Sequence, residues 1–206
     1  RATKVIQALD NGSATGISES KVNQYKGEAY FMLGFAYCEL TAYYGDCVLN
    51  KGMTLDEAYV ATRSPKNEVL AYAFECLDKA ADSYKGQQRP TKGAALGFKA
   101  RFALFHEDWQ TAVDAAQKCM DLGVYKLHDN YREMFQATSS PEFMFYFKGD
   151  LTLKKGYGFM ENVRDFVIRK IGGHCNQSPS LELFCSYTCT DGLPIDKSPL
   201  YNPKDP

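Results

Sequence analysis

The stretch "AYFMLGFAYCELTAYYGD" (29–46) decides how this chain folds. Its apolar residues recur at three- and four-residue steps, and the pattern runs back to Ser20, which predicts one long amphipathic helix over 20–44. Gly45 and Asp46 close the run as a helix stop does. Gly34 sits in the middle of the apolar face. A residue without a side chain at such a place lets a partner helix come close, so the stretch predicts a tight helix pair.

The partner follows in "RSPKNEVLAYAFECLDKAADSY" (63–84), where Ser64 is a candidate cap and Pro65 suits a helix start because no amide partner is needed there. A helix over about 65–84 results. After the loop "KGQQRPT" (85–91), Thr91 is placed to cap a third helix over about 92–106. Asp108 is placed to cap a fourth over 109–122, ended by Gly123. Leu33, Gly34 and Tyr37 reproduce the L-G-x2-Y core of a tetratricopeptide first helix, with Tyr30 as the leading aromatic. Ala73, Leu77 and Ala80 give the small, large, small rhythm of the second. The next pair repeats it less strictly, with Ala100 as the small residue and Ala112, Ala116 and Cys119 as the facing row. The long connection inside the first pair marks an insertion in a degenerate repeat.

Beyond 123 the character changes. "PEFMFYF" (141–147) reads as a short buried strand or extended segment, "PSLELFCSYTC" (179–189) as a short helix, and the rest as Gly- and Pro-rich loops. The fold class expected is all-α: helix pairs over 20–123 with a loop-rich part over 124–206, together a segment of one domain.

With 206 residues and 24 basic against 25 acidic side chains, the chain has no overall field that would draw it to nucleic acid. Its seven cysteines lack a CxxC pair, and Cys38, Cys76 and Cys119 fall on apolar helical faces, where thiols act as small hydrophobes. No apolar run reaches the roughly 20 residues that cross a bilayer. "RATKVIQALDNG" (1–12) is not built like a signal peptide, and the chain reads as a segment of something longer.

The only tryptophan follows the cluster "FHED" (105–108). Asp108 there has a reason to exist as a cap, His106 as a favourable charge at a helix C-terminus, and Trp109 as a ring filling the gap between paired helices. Neither "FHED", "KLHDN" nor "GGHC" has metal-ligand spacing, and no cofactor or nucleophile fingerprint is present. Two carboxylates flanking one bond would be needed for glycoside hydrolysis, and no spacing selects a pair.

Four segments together resemble the SusD/RagB family of surface nutrient-binding lipoproteins of Bacteroidetes. They are "GEAYFMLGFAYCELTAYYGDCVL" (27–49), "RSPKNEVLAYAFECLDKAA" (63–81), "RPTKGAALGFKARFALFHEDWQTAVDAAQKCMDLGVYKL" (89–127) and "SLELFCSYTCTDGLPIDKSPLYNPKDP" (180–206). "TKGAAL" followed by "KAR", "DW" and "AV" is the most specific part. One departure is "GDCVL" (45–49), where relatives read "GDVPL". The resemblance implies a tetratricopeptide-like helical frame that docks on a SusC-like TonB-dependent transporter. It implies non-catalytic capture of a nutrient, commonly an oligosaccharide, without a cofactor, at an outer membrane reached through an N-terminal lipid anchor that this segment does not contain. A tetratricopeptide-type peptide adaptor and an all-helical glycosidase are the alternatives. The family supplies no residue-level binding motif. The candidate sugar contacts are therefore chosen from the sequence: Tyr43 and Tyr44 at the end of the first helix, Tyr157 and Phe159 in the glycine loop "GYGF", and Asn162 and Arg164 beside them.

Overall fold

A computed structural model of the chain describes residues 1–83, 90–146, 178–202 and 204. The chain divides into two compact units, Arg1–Tyr146 and Phe147–Pro206. Among the described residues the regular structure is helical: α1 (Ala2–Asp10), α2 (Glu19–Tyr44), α3 (Leu55–Val60), α4 (Lys66–Ser83), α5 (Lys92–Phe105), α6 (Trp109–Met120), α7 (Tyr131–Met134) and, in the second unit, α8 (Leu181–Ser186). The first unit is the all-α arrangement of helix pairs that the sequence predicts: α2 packs on α4, α4 on α5, and α5 on α6.

The α2–α4 pair owes its closeness to small residues in register. On α2 the buried row is Gly27, Phe31, Gly34, Cys38 and Thr41, at steps of four and three; on α4 it is Val69, Ala73, Cys76 and Ala80, with Leu77 beside it. That spacing is the one that seats knobs into facing holes. At Gly34 the contact is so close that an added Cβ would stand 2.8 Å from the carbonyl oxygen of Ala73 and 2.8 Å from Leu77 Cγ. Cys38 and Cys76 lie fully buried in this seam. Burial pushes their thiols up to about 12 and about 11, so they behave as packing groups. Thr41, also buried, satisfies its hydroxyl against the carbonyls of Tyr37 and Cys38.

The second seam is aromatic. Phe31 and Phe35 of α2 meet Phe98 and Phe102 of α5, with the Phe35–Phe98 rings edge to face at 5.0 Å and Phe31–Phe98 at 5.6 Å. Such geometry sets the positive ring edge against the negative ring face. Leu33-Gly34-Phe35 and Leu96-Gly97-Phe98 are the same tripeptide in the two helices, so the repeated position touches its own counterpart. Lys99 on α5 bonds both carboxylate oxygens of Asp78 on α4 at 2.7 and 2.8 Å, tying the two pairs together at the surface.

Helix ends follow local chemistry, with one departure. Thr91 accepts from Ala94 N and Asp108 from Thr111 N, as the cap positions require. Gly45 ends α2 at φ 67°, a region that glycine enters freely. Ser64, however, does not cap α4. The Lys66 amide donates instead to Asp46 Oδ1 at 2.8 Å, from twenty residues upstream. Because Ser64 N donates to Cys47 O, both ends of the 46–64 insertion are clamped at one place. The insertion folds on its own terms: Asn50 N donates to Tyr37 Oη at 2.7 Å, and Thr54 and Glu57 form a reciprocal capping box on α3.

The 141–147 stretch makes no strand among its described residues, 141–146, which form turns and bends. No strand among the described residues lies beside it, and the segment spends its backbone otherwise: Pro141 O accepts from Lys126 N, while Glu142 accepts from His128 N at 2.8 Å. Phe145 then leans on Phe31 at 5.3 Å. In the second unit, Ser180 caps α8, and Asp191 holds the following turn by accepting from Leu193 N and Ser198 Oγ.

At the α5–α6 turn three readings change. His106 is not a solvated charge: neither ring nitrogen has a hydrogen-bond partner among the described residues, and burial, then nearby Lys66, holds its pKa below the ordinary value. Trp109 does not fill the gap between the helices; it is 60% exposed, because Ala112 and Ala115 make the row against α5. Ala115, and not Ala116, is the buried member of that row.

Two outcomes follow from this packing. Gly34→Ala gains about 1 kcal/mol of helix propensity but meets a backbone carbonyl that cannot move aside, and overpacking of that kind costs about 1–3 kcal/mol. Denaturant melts should show a net loss of stability. Gly97→Ala, whose Cβ meets only the mobile end of Met144 at 3.0 Å, should be neutral or stabilising. A lowered imidazole pKa means that the unfolded chain takes up the proton first, so His106 lends stability above the ordinary value of 6.5 that is lost as pH falls below it. Melts between pH 7.5 and 5.5 should find a shallower decline in His106→Phe; an equal decline would remove His106 as the cause.

Candidate functional site

The C-terminal turn of α2 carries the side chains that the helix does not bury. Its inward row ends at Thr41, so Tyr43 and Tyr44, two and three residues on, point away from α4 and stand 78% and 72% exposed. Their ring centroids lie 6.4 Å apart, tilted by 56°. Gly45 turns the chain immediately afterwards.

Tyr43 borders a groove of about 410 Å³ between α2 and α5, with Glu39 and Ala42 on one wall and Arg101, Leu104 and Phe105 on the other. That volume lies within the range of small-ligand sites, roughly 300–1,000 Å³. Phe105 is itself 64% exposed, so aromatic rings stand on both walls. Arg101 is exposed and makes no ion pair or hydrogen bond among the described residues. It also borders a smaller recess of about 300 Å³ next to Phe98, Met134, Glu142 and Phe143. The groove thus offers two flat apolar faces, a guanidinium fork and one carboxylate, which is the chemistry that stacks on a sugar ring and bonds its hydroxyls.

Of the residues chosen from sequence, the structure places Tyr43 and Tyr44 side by side, with Tyr43 on the groove. Tyr157, Phe159, Asn162 and Arg164 lie outside the described residues. Glu39, Arg101 and Phe105 were not singled out by sequence reasoning. Part of the signal lay in the helical phase, since each falls off the buried row of its own helix; that the two helices face each other there is a tertiary fact. Two further grooves have other chemistry. One of about 530 Å³ between α1 and α2 is apolar around Val5, Tyr25 and Met32, and one of about 590 Å³ against the insertion is polar around Lys51, Glu57 and Glu68.

Glu39 is the single acid among the residues lining the tyrosine groove, whereas hydrolysis of a glycosidic bond uses two. No group of three or more His, Cys, Asp or Glu side chains suited to a metal ion occurs among the described residues. No helix there is long and apolar enough to cross a membrane.

Residues 2–104 match the model of a SusD-like family described as starch-binding and associating with the outer membrane. The chain is 27% identical over 169 residues to SusD-like protein P2 of Formosa agariphila, an alignment that takes in 74% of this chain and 33% of that relative. Among solved structures it is similar to a SusD-like protein of Bacteroides fragilis, with 26% identity, a TM-score of 0.61, and coverage of 73% of this chain and 32% of the other. A SusD-like carbohydrate-binding protein of the same organism aligns over 98% of this chain and 41% of its own, at 24% identity and a TM-score of 0.78, a likeness of fold. The chain spans about a third of the length of the curated relative it matches. The family model covers half of the chain, α1 through nearly all of α5, and the helix pairs found there are those of the solved relatives: this chain belongs to the SusD-like family.

Proposed function

We propose that this chain is part of a non-catalytic protein that captures an oligosaccharide at the outer-membrane surface and delivers it to a SusC-like TonB-dependent transporter. The family's description as starch-binding and associating with the outer membrane supports the ligand class and the place. The observation that carries the reading to particular residues is the pair of exposed tyrosines beside a groove with Phe105, Arg101 and Glu39. Sugar rings present C–H faces to Tyr43 and Phe105, while Glu39 accepts from hydroxyls and Arg101 donates to ring or hydroxyl oxygens. Tyr44 extends the stacking surface past the groove.

In this reading the helix pairs over 20–123 are the frame and residues 124–206 a loop-rich ligand-site and tail region. Tyr157, Phe159, Asn162 and Arg164 are then additional contacts, proposed from the sequence. A lipid anchor outside this segment holds the protein to the membrane, and the transporter docks on the frame. A rigid frame suits the task, since ligand ordering is then the main conformational cost of binding.

Calorimetry with maltooligosaccharides, alongside a glycan array, tests the assignment. Tyr43→Ala should weaken the strongest ligand about tenfold, a loss of roughly 1.4 kcal/mol, with little change in melting because the ring is exposed. Tyr157→Ala, compared in the same titration, decides whether the glycine loop belongs to the site. Undiminished binding in the Tyr43→Ala, Tyr44→Ala double variant would take the site away from the end of α2.

A further inference from the structure

We infer that the groove between α2 and α5 selects sugars carrying a negative charge, a uronate or a sulfate ester, with Arg101 as the group that reads it. The inference rests on the reading of this groove as a sugar site.

Several cations near the helix pairs are committed. Lys26 pairs with Asp10, Lys79 with Glu75 and Lys99 with Asp78. Lys51 lies over the Tyr72 ring at 4.8 Å. Arg101 has no such partner among the described residues, although Glu39 lines the same groove and Glu142 the adjoining recess. Glu142 is engaged by the His128 amide, and Glu39 stands on the α2 wall with no ion pair joining it to Arg101.

A guanidinium with no partner among the described residues, between exposed rings, has a definite chemical preference. Its planar fork matches the two oxygens of a carboxylate or sulfate, and a charge-assisted pair of that kind is about twice as strong as a neutral hydrogen bond. A lysine there would offer a point charge without the plane. The rings supply the second condition, because a sugar stacked on Tyr43 and Phe105 is held by its apolar face while its substituents reach sideways. Glu39 then gives direction: an anionic substituent is repelled from the α2 wall and drawn to the α5 wall, leaving neutral hydroxyls for Glu39.

The test is a set of titrations on the intact chain with four probes of equal length: a neutral galactose oligomer, an oligogalacturonate, the same oligomer fully methyl-esterified, and a sulfated galactose oligomer. The expected result is at least one charged form binding about tenfold tighter than both neutral forms, with the advantage shrinking in high salt. Whichever charged oligomer binds tighter identifies the source of the anion. Arg101→Gln should bring the charged oligomers down to the affinity of the neutral ones, while Lys118→Gln, which removes the same charge from α6, should leave the preference in place. Equal binding of charged and neutral forms, or a preference that survives Arg101→Gln, overturns the inference even if Tyr43→Ala still weakens binding. Binding of none of the four overturns the inference alone, whereas oligosaccharide binding indifferent to Tyr43→Ala brings down the site reading and this inference with it.

Discussion

The close approach of α2 to α4 at Gly34 is the constraint on which the rest of the first unit depends. A helix normally stands off its neighbour by the length of its side chains, and here glycine and alanine remove that distance. Two consequences reach beyond the pair. Tyr37, one turn on from Gly34, brings its hydroxyl to Asn50 and so fixes the first residues of the insertion. Phe31 and Phe35, flanking Gly34 on α2, meet the rings of α5, which positions the second helix pair. The frame therefore rests on the small residues that join α2 to α4 and the aromatic residues that join α2 to α5, with Phe31 shared by both.

That division also explains the groove. With one side of α2 given to α4 and another to α5, its last turn has residues left over, and they are Glu39, Ala42, Tyr43 and Tyr44. On α5 the corresponding remainder is Arg101, Leu104 and Phe105. Aromatic side chains pack where the row is inward and stand exposed where it is outward, and the phase of the helix separates the two. Trp109 is likewise exposed, at the first turn of α6. Just before it, Glu107 holds φ 63°, a left-handed conformation that a non-glycine residue adopts at some cost, so that the chain turns sharply between α5 and α6.

Much of this was legible in the sequence, and what was not has identifiable causes. The four long helices announce themselves because their apolar periodicity runs over many turns, and their boundaries fall within a few residues of those expected. α1 is short and was considered only as a leader, although Ile6 packs against the frame. α3 was passed over inside the insertion even though "TLDE" (54–57) carries a capping-box signature. Ser64 was credited with a cap that Asp46 makes from twenty residues away, a pairing no local rule can reveal. Trp109, His106 and the 141–147 stretch depart from expectation for one reason: residue type says what a side chain prefers, and the presence of a partner is a tertiary fact. The same limit applies to the site. Tyr43 and Tyr44 stood out by composition and place, whereas Arg101 and Glu39 gained meaning only when two helices set them on opposite walls.

The most direct measurement is native-state hydrogen exchange across the whole chain. If the α2–α4 contact carries the frame, the amides of 31–38 and 69–80 should exchange last, through the global opening, while those of the 46–64 insertion and 124–146 exchange earlier through local openings. Midsections of α2 or α4 exchanging as fast as the insertion would contradict the account.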